Sequence, residues 1–481
     1  MCKGKGCMIA AYIFFAVSLL LFTGCVIVHF YVDQAFMSIM KKFMLLTPGS
    51  IVFEAYSNDD TAIITRLYAF NLLNEEEVLK GGKPLFEEVG PYIYWKKINR
   101  WDFTFSNETP PKYLRHKKRT YYYPHENLSR SDIHSRQITS LDLFAGGIIL
   151  QEKSVFTESY YRTTKPFVTK TPNEILWGYT HENIESCYKF GKCPKKISVF
   201  VKENGTSTEE FLLKTGVDDI NERGKVEEFQ GEKELNVWKS KYANMINGSE
   251  GAFIGFDLSV GARRHVFVPG ICRSVIMEAK KLVPHPKFSK LQVLLFAPVE
   301  VEENSSIYPS PSEFCQGQPY EPKCAPEGFV SFSPCLESDN YMPLYGSQGH
   351  FAGADPKIRN QFGGISEPDE VDDNTVLYVD PVTGLALGAH QSMQINFYID
   401  NEKRSSMPFK MMRGPYFFPI IRIVNEIYPP VETLETLFQK VQGNKKLLNW
   451  AVYILGGVCL LVILLTSMII VRIARSRNRI Y

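Results

Sequence analysis

Several signatures that would mark an enzyme or a nucleic-acid binder are missing from this chain. It has no Gly-x-Ser-x-Gly nucleophile elbow, and His181-Glu182 lacks the second histidine of a helical zinc-protease pair. Gly81-Gly82-Lys83 lacks the spacing and the following hydroxyl of a phosphate loop. The chain therefore reads as a non-enzyme with no cofactor. No Cys-x2-Cys pair with a companion histidine occurs, which leaves no ligand set for zinc or another metal. A basic excess is absent as well, with 54 Lys plus Arg against 52 Asp plus Glu. Nucleic acid is excluded as a partner on that ground, because its binders carry a basic face. Internal repeats and long low-complexity tracts are also lacking.

Two long apolar runs are present, at residues 8–30 and 449–471, neither holding a charged side chain. About 20 apolar residues at helical rise cross the hydrocarbon of a bilayer, so both runs are expected to be transmembrane helices. Lys3 and Lys5 precede the first, and Arg472, Arg475, Arg477 and Arg479 follow the second. Basic residues close to a span stay cytoplasmic, which makes 1–7 and 472–481 cytoplasmic tails and puts 31–448 outside. Lys41, Lys42, Lys445 and Lys446 lie on the far side, but a loop this long translocates largely regardless of such charges. Trp450, Tyr453, His29 and Tyr31 suit the outer interface. A cleaved signal peptide is the rival for the first run, which is too long for a signal core and has no Ala-x-Ala step after it.

With the six basic residues of the two ends set aside, 48 Lys plus Arg face all 52 Asp plus Glu, so the outer segment is slightly acidic. Five Asn-x-Ser/Thr sequons, at Asn107, Asn127, Asn204, Asn247 and Asn304, all lie in it and are candidate glycosylation sites. So do Cys187, Cys193, Cys272, Cys315, Cys324 and Cys335, an even number that suits three disulfides in an oxidising compartment. Spacing alone leaves their pairing open. Cys25 and Cys459 lie within the apolar runs, while Cys2 and Cys7 are candidates for palmitoylation.

Between the apolar runs the pattern is mainly one of short strands rich in β-branched and aromatic residues. Examples are Ala62 to Phe70, Lys118 to Tyr123, Ile197 to Val201, His265 to Val268, Leu291 to Ala297, Thr375 to Val379 and Ser392 to Ile399. Asp380-Pro381-Val382-Thr383-Gly384 predicts a turn joining the last two into a hairpin, since Pro presets φ and Gly accepts a positive one. Helical patches are expected at Phe36 to Leu46, Ile138 to Lys153 and Val431 to Val441. In the middle patch Leu141, Phe144, Ile148 and Ile149 stand near helical spacing, the sign of a packed face or of ligand contact. No internal linker is evident, so 31–448 reads as one large domain.

The sequence also holds a series of short motifs in order. They are Asn74-Glu75-Glu76-Glu77-Val78-Leu79-Lys80-Gly81, Glu87-Glu88-Val89-Gly90-Pro91-Tyr92-Ile93-Tyr94, Leu176-Trp177-Gly178-Tyr179 and Asn244-Met245-Ile246-Asn247-Gly248-Ser249. Ile271-Cys272-Arg273-Ser274, Asp380-Pro381-Val382-Thr383-Gly384 and Gln394-Ile395-Asn396 complete the series. Together with the two apolar runs, this order resembles the class B scavenger receptors over nearly the whole chain. The resemblance implies an α+β fold: two transmembrane helices flanking a large ectodomain built on an antiparallel β-barrel, with a distal helical bundle and an apolar tunnel.

The resemblance further implies disulfides Cys272–Cys335 and Cys315–Cys324, closing loops worth roughly 4 and 3 kcal/mol on the chain-entropy estimate, and leaves Cys187 to pair with Cys193. The fatty acid translocase branch has one more disulfide, at positions that correspond to Ala243 and Glu313 here, and both partners are missing together. The implied ligands are lipids (fatty acids, sterol esters, phospholipids or carotenoids) and lipoprotein particles, taken up by a receptor that passes lipid through its tunnel to the membrane. An enclosed apolar passage gains about 25 cal/mol per Å² of apolar lipid surface removed from water.

In that family the cations that meet the ligand lie before the Trp-Gly-Tyr motif, which selects Lys153, Arg162, Lys165 and Lys170 here. Phe156, Tyr160, Tyr161 and Phe167 supply apolar neighbours. A second basic run, Arg115-His116-Lys117-Lys118-Arg119, is read as an exposed strand entrance rather than a binding surface. The lysosomal branch carries an acidic dileucine signal that residues 472–481 do not contain, which favours the plasma membrane over the lysosomal or endosomal membrane. A lysosomal lipid-export or sorting protein and an adhesion receptor for a protein ligand are the competing functions.

Overall fold

The computed structural model describes residues 5–58, 61–143, 165–180, 196–198, 204–299, 310–315, 322–335, 342–400 and 412–477. The chain divides into two compact units, one of 1–44, 288–291 and 431–481 and the other of 45–287 and 292–430. The helices among the described residues are α1 (Lys5–Phe43), α2 (Ile51–Ser57), α3 (Glu75–Val78), α4 (Pro172–Trp177), α5 (Pro356–Arg359), α6 (Val431–Leu437) and α7 (Asn444–Arg477). The strands are β1 (Ala62–Leu72), β2 (Phe86–Phe105), β3 (Tyr113–Pro124), β4 (Ile138–Leu141), β5 (Phe167–Lys170), β6 (Glu209–Lys214), β7 (Val226–Phe229) and β8 (Arg263–Val268). They continue with β9 (Arg273–His285), β10 (Phe288–Pro298), β11 (Phe329–Ser331), β12 (Leu344–Ser347), β13 (Val376–Val379), β14 (Ala386–Ile399) and β15 (Tyr416–Tyr428).

In the first unit both apolar runs are helices long and apolar enough to cross a bilayer. The patch expected at Phe36 to Leu46 is continuous with the first of them in α1, and a π-helical turn over Phe438–Gly443 joins α6 to α7. Ala11, Ser18, Cys25 and Val32 of α1 are buried at seven-residue steps, as are Cys459 and Thr466 of α7. That is the spacing of a coiled-coil seam, and its small side chains let helix backbones approach. The rings of His29 and Tyr453 pack with centroids 5.2 Å apart, and Lys445 lies 3.4 Å from Asp33.

The second unit is dominated by one antiparallel sheet in the order β7-β6-β3-β2-β1-β15-β14-β13-β10-β9-β8, with β12 on β14 and β11 on β12. Phe70, Tyr92, Phe397 and Phe418 fill one core cluster against the sheet and Phe296 belongs to a second. The two edges are bridged by Gly248–Ser249. The N–H of Val226 donates to the Gly248 carbonyl at 2.9 Å and that of Phe267 to the Ser249 carbonyl at 2.8 Å, so the sheet nearly closes on itself.

The predicted turn at Asp380–Gly384 is present between β13 and β14. The Asp380 carboxylate accepts from the N–H and the hydroxyl of Thr383 at 2.7 and 2.8 Å. Gly384 has φ +67°, and a Cβ there would come within 1.8 Å of the Gly255 carbonyl oxygen.

The expected helix from Ile138 begins instead as strand β4, paired with β5. Its backbone is claimed from outside, by β5 and by the Asn71 side chain, whose oxygen accepts from the Thr139 N–H at 2.8 Å. Most of the residues expected to form the helical bundle lie outside the described ones, and of the strand expected at Ile197 to Val201 the described part is a single bridge to Tyr179.

Cys272 is joined to Cys335 and Cys315 to Cys324. Cys2, Cys187, Cys193 and Asn304, and the side chain of Cys7, lie outside the described residues. The two positions matched to the extra disulfide of the fatty acid translocase branch meet around one side chain. Ser240 donates its hydroxyl to the Glu313 carboxylate and accepts from the Ala243 N–H at 3.5 Å.

Closure of the sheet makes Gly248 intolerant of a side chain, since its φ is +82° and a Cβ would lie 1.9 Å from the His265 carbonyl oxygen. Gly248→Ala is expected to destabilise the protein by about 3 kcal/mol or more, whereas Gly270→Ala, where a Cβ meets nothing within 4 Å, stays within about 0.5 kcal/mol of wild type. Chemical denaturation of the two purified variants measures the difference.

Candidate functional site

Lys165 and Lys170 stand at the two ends of the short stretch that carries β5. Lys165 is exposed, while Lys170 lies 3.9 Å from Glu174 with its ammonium 5.5 Å from the centre of the Tyr179 ring. Around them the chain is tightly built. The Asp142 N–H donates to the Pro166 carbonyl at 2.9 Å, the Tyr179 hydroxyl to Asp142 at 3.2 Å, and the Trp177 indole to the Tyr94 hydroxyl at 2.8 Å. Helix α4 starts with a reciprocal cap, in which Thr171 and Glu174 each take the other's backbone N–H. This frame fixes Lys170 in direction. Lys153 and Arg162 lie outside the described residues, with Phe156, Tyr160 and Tyr161, so the structure places two of the four predicted cations.

The basic run at 115–119 lies in the first half of β3, but instead of being exposed its cations are paired. Outward, Arg115 bonds Glu210 and Glu228, each at 2.7 Å, Lys117 bonds Asp102 at 2.7 Å, and Arg119 donates to the Thr208 hydroxyl. Inward, His116 and Lys118 join a buried cluster built on Glu250. Its carboxylate accepts from Lys118 at 2.8 Å and from Arg100 at 3.5 Å, and from the hydroxyl of Tyr56 on α2. Burial alone would raise the Glu250 pKa, but the charges of Lys118, Arg100 and His116 hold it well below the usual carboxylate range. His116 is stacked between Phe103 and Phe211, with centroids 5.8 and 5.6 Å away. Burial pushes its pKa down to about 4, so its imidazole is neutral at physiological pH.

A second buried cluster joins Glu88 of β2 and Arg422 of β15 to His350 and Asp373. Arg422 donates to Glu88 at 2.6 Å and to Asp373 at 3.2 Å, and lies 4.2 Å from the centre of the Tyr68 ring. His350 reaches Asp373 at 2.8 Å through Nδ1 and Glu88 at 3.3 Å through Nε2. Burial opposes its charge, but these two hydrogen bonds outweigh burial and bring its pKa to about 9. The His350 N–H donates to the side chain of Gln394, which in turn donates to Asn396 at 2.7 Å.

Neither cluster is announced by a local pattern, although signals are present in the sequence. Arg422 interrupts the apolar run Tyr416 to Val424, and Glu88 and Gln394 belong to the motifs at Glu87–Tyr94 and Gln394–Asn396. A charge inside an apolar strand points to a buried partner. Among the described residues there is no group of three or more His, Cys, Asp or Glu side chains placed to hold a metal ion.

A nearly closed antiparallel sheet on a chain with a bilayer-length apolar helix near each end defines a membrane-anchored β protein. The chain belongs to the CD36 family, whose sequence profile matches residues 15–470. It is 26% identical to Scavenger receptor class B member 1 of Rattus norvegicus over 88% of this chain and 82% of that receptor. It is also similar to Lysosome membrane protein 2, at 28% identity for the protein of Rattus norvegicus and 27% for that of Homo sapiens, each over 76% of this chain and 75% of the relative.

The two histidines bend the pH dependence of stability in opposite directions. His350, raised from 6.5 to about 9, contributes fully below pH 6.5 and loses its contribution, about 3 kcal/mol, as pH rises toward 9. His116, lowered to about 4, costs nothing above pH 6.5 and about 3 kcal/mol as pH falls toward 4. Burial lowers His285 in the same sense, while Glu88, Asp373 and Glu250, all held below their usual values, keep their contributions until more acid pH. The unfolding midpoint of the full chain is expected to peak near the ordinary histidine pKa of 6.5. His350→Gln should flatten the alkaline limb and His116→Phe most of the acid limb.

Proposed function

We propose that the protein is a cell-surface receptor that captures lipids or lipoprotein particles and transfers individual lipids through a passage in its outer segment to the membrane. The observation that carries this reading is the CD36 family match over residues 15–470, together with the likeness to a scavenger receptor over most of both chains. Both termini are cytoplasmic in this reading, and residues 31–448 form the ectodomain. Asn107, Asn127 and Asn204 are exposed, as glycan attachment outside the cell requires, and Asn247 is half-buried. Lys165 and Lys170, with Lys153 and Arg162, form the cationic entrance that meets an anionic head group or particle surface. Fatty acids, sterol esters, phospholipids and carotenoids fit such an entrance to an apolar passage. Since no energy source is implied, flux follows the lipid gradient. The similarity to Lysosome membrane protein 2 supports a second reading, residence in the lysosomal or endosomal membrane with a role in lipid export or sorting.

Cells expressing the full chain and given lipoprotein labelled separately in its sterol ester and its protein should accumulate ester in excess of particle protein. The double variant Lys165→Glu/Lys170→Glu should reduce particle binding about fivefold, as loss of two partly exposed charge contacts implies. Particle binding with no excess of ester would sink lipid transfer and leave adhesion to a protein ligand as the better reading.

A further inference from the structure

Strand β3 points its side chains alternately inward and outward, and Arg119, Tyr121 and Tyr123 are outward. On β2, Trp95 stands opposite Tyr123 and Lys97 opposite Tyr121. The result is an aromatic ladder on the outer face of the sheet. Tyr123 is 52% exposed and Trp95 39%, and the rings of Tyr121 and Tyr123 stack with centroids 6.3 Å apart and planes at 19°. Water covers such a surface poorly.

The sequon Asn204-Gly205-Thr206 lies against this ladder. The Asn204 side chain clamps the backbone of Tyr122, accepting from its N–H at 2.9 Å and donating to its carbonyl at 3.3 Å. The Gly205 N–H donates to the Thr120 carbonyl at 2.8 Å, and Gly205 lies so close to Tyr121 that a Cβ would come 2.7 Å from its ring. The sequon is thus held against the strand through Gly205, beside the residue that separates the two stacked tyrosines.

We propose that Asn204 carries an N-linked glycan whose first sugars lie on Tyr121 and Tyr123, so that the protein's own carbohydrate covers the aromatic ladder. In the attachment step the amide nitrogen bonds to C1 of the sugar of a lipid-linked oligosaccharide diphosphate. The diphosphate leaves, and the nitrogen gives up one of its two protons. The sugar takes the amide position cis to Oδ1, the one that faces the Tyr122 carbonyl, so that hydrogen bond is given up on attachment while the Gly205 N–H keeps the sequon on the strand. The apolar C–H face of a pyranose suits a stacked aromatic surface, whose π faces are electron-rich.

The test uses the full chain from a secretory host and site-resolved glycopeptide mass spectrometry. Asn204 should be occupied, and an endoglycosidase should release its glycan from the native protein about tenfold more slowly than from Tyr121→Ser/Tyr123→Ser, with no change at Asn127. Thr206→Ala removes the sequon while leaving Asn204 and both tyrosines in place. In that variant tetranitromethane should nitrate Tyr121 and Tyr123 several-fold faster than in wild type. An unmodified Asn204, equal release rates or equal nitration rates would each overturn the proposal.

Discussion

An open sheet of this length would present two unpaired edges, and here both are satisfied through two residues, Gly248 and Ser249. Their backbone hydrogen bonds contribute only about 1 kcal/mol each, too little to hold the ends of so large a sheet together. The residue that follows supplies the rest. Glu250 turns its carboxylate into the protein, where Tyr56, Arg100 and Lys118 converge on it from three different elements. Removing one partner from a buried ion pair leaves an uncompensated charge and costs about 3–5 kcal/mol, more than the ladder bonds at the clasp can offset. The charge cluster, rather than the ladder, fixes where the sheet closes.

The second cluster shows why two buried histidines take opposite protonation states. Glu88 and Asp373 bring two negative charges and Arg422 one positive charge, so the group is neutral only when His350 is an imidazolium. Around His116 the charges already balance, since Lys118 and Arg100 are answered by Glu250 and Glu209, and Phe103 and Phe211 cover both faces of the ring. A further cation there would lose its solvent and find Glu250 already shared with Arg100 and Lys118, so burial keeps the imidazole neutral. The count of neighbouring charges, together with burial common to both, decides each state.

The parts of this architecture legible in the sequence are those set by local pattern. The two apolar runs, most strands and the Asp380–Gly384 turn depend on neighbouring residues, and the structure has them. What depended on distant pairing was not legible. Ile138 and Leu141 have a spacing that helices also use, and the strand that claims them, β5, returns only after residues 142–166. Arg115 to Arg119 looks like a solvated run because nothing local announces Glu210, Glu228 or Glu250. The partner of Arg422 lies 334 positions away, on β2. In each case the missing information was tertiary, and only the oddity of a charge or amide in an apolar strand hinted at it.

The residues that carried the family resemblance are, in the structure, ones that fasten turns and join segments. Asn244 holds both N–H groups of Val237 and Trp238 on its side-chain oxygen. Arg273 lies between Trp238 and Phe314, beside the Cys272–Cys335 bridge, and Ser274 accepts from the Asn247 N–H. Trp177, Asp380, Gln394 and Glu88 each fasten a turn or strand. None of these contacts leaves the motif side chain reaching outward toward a ligand. The motifs therefore carry the fold.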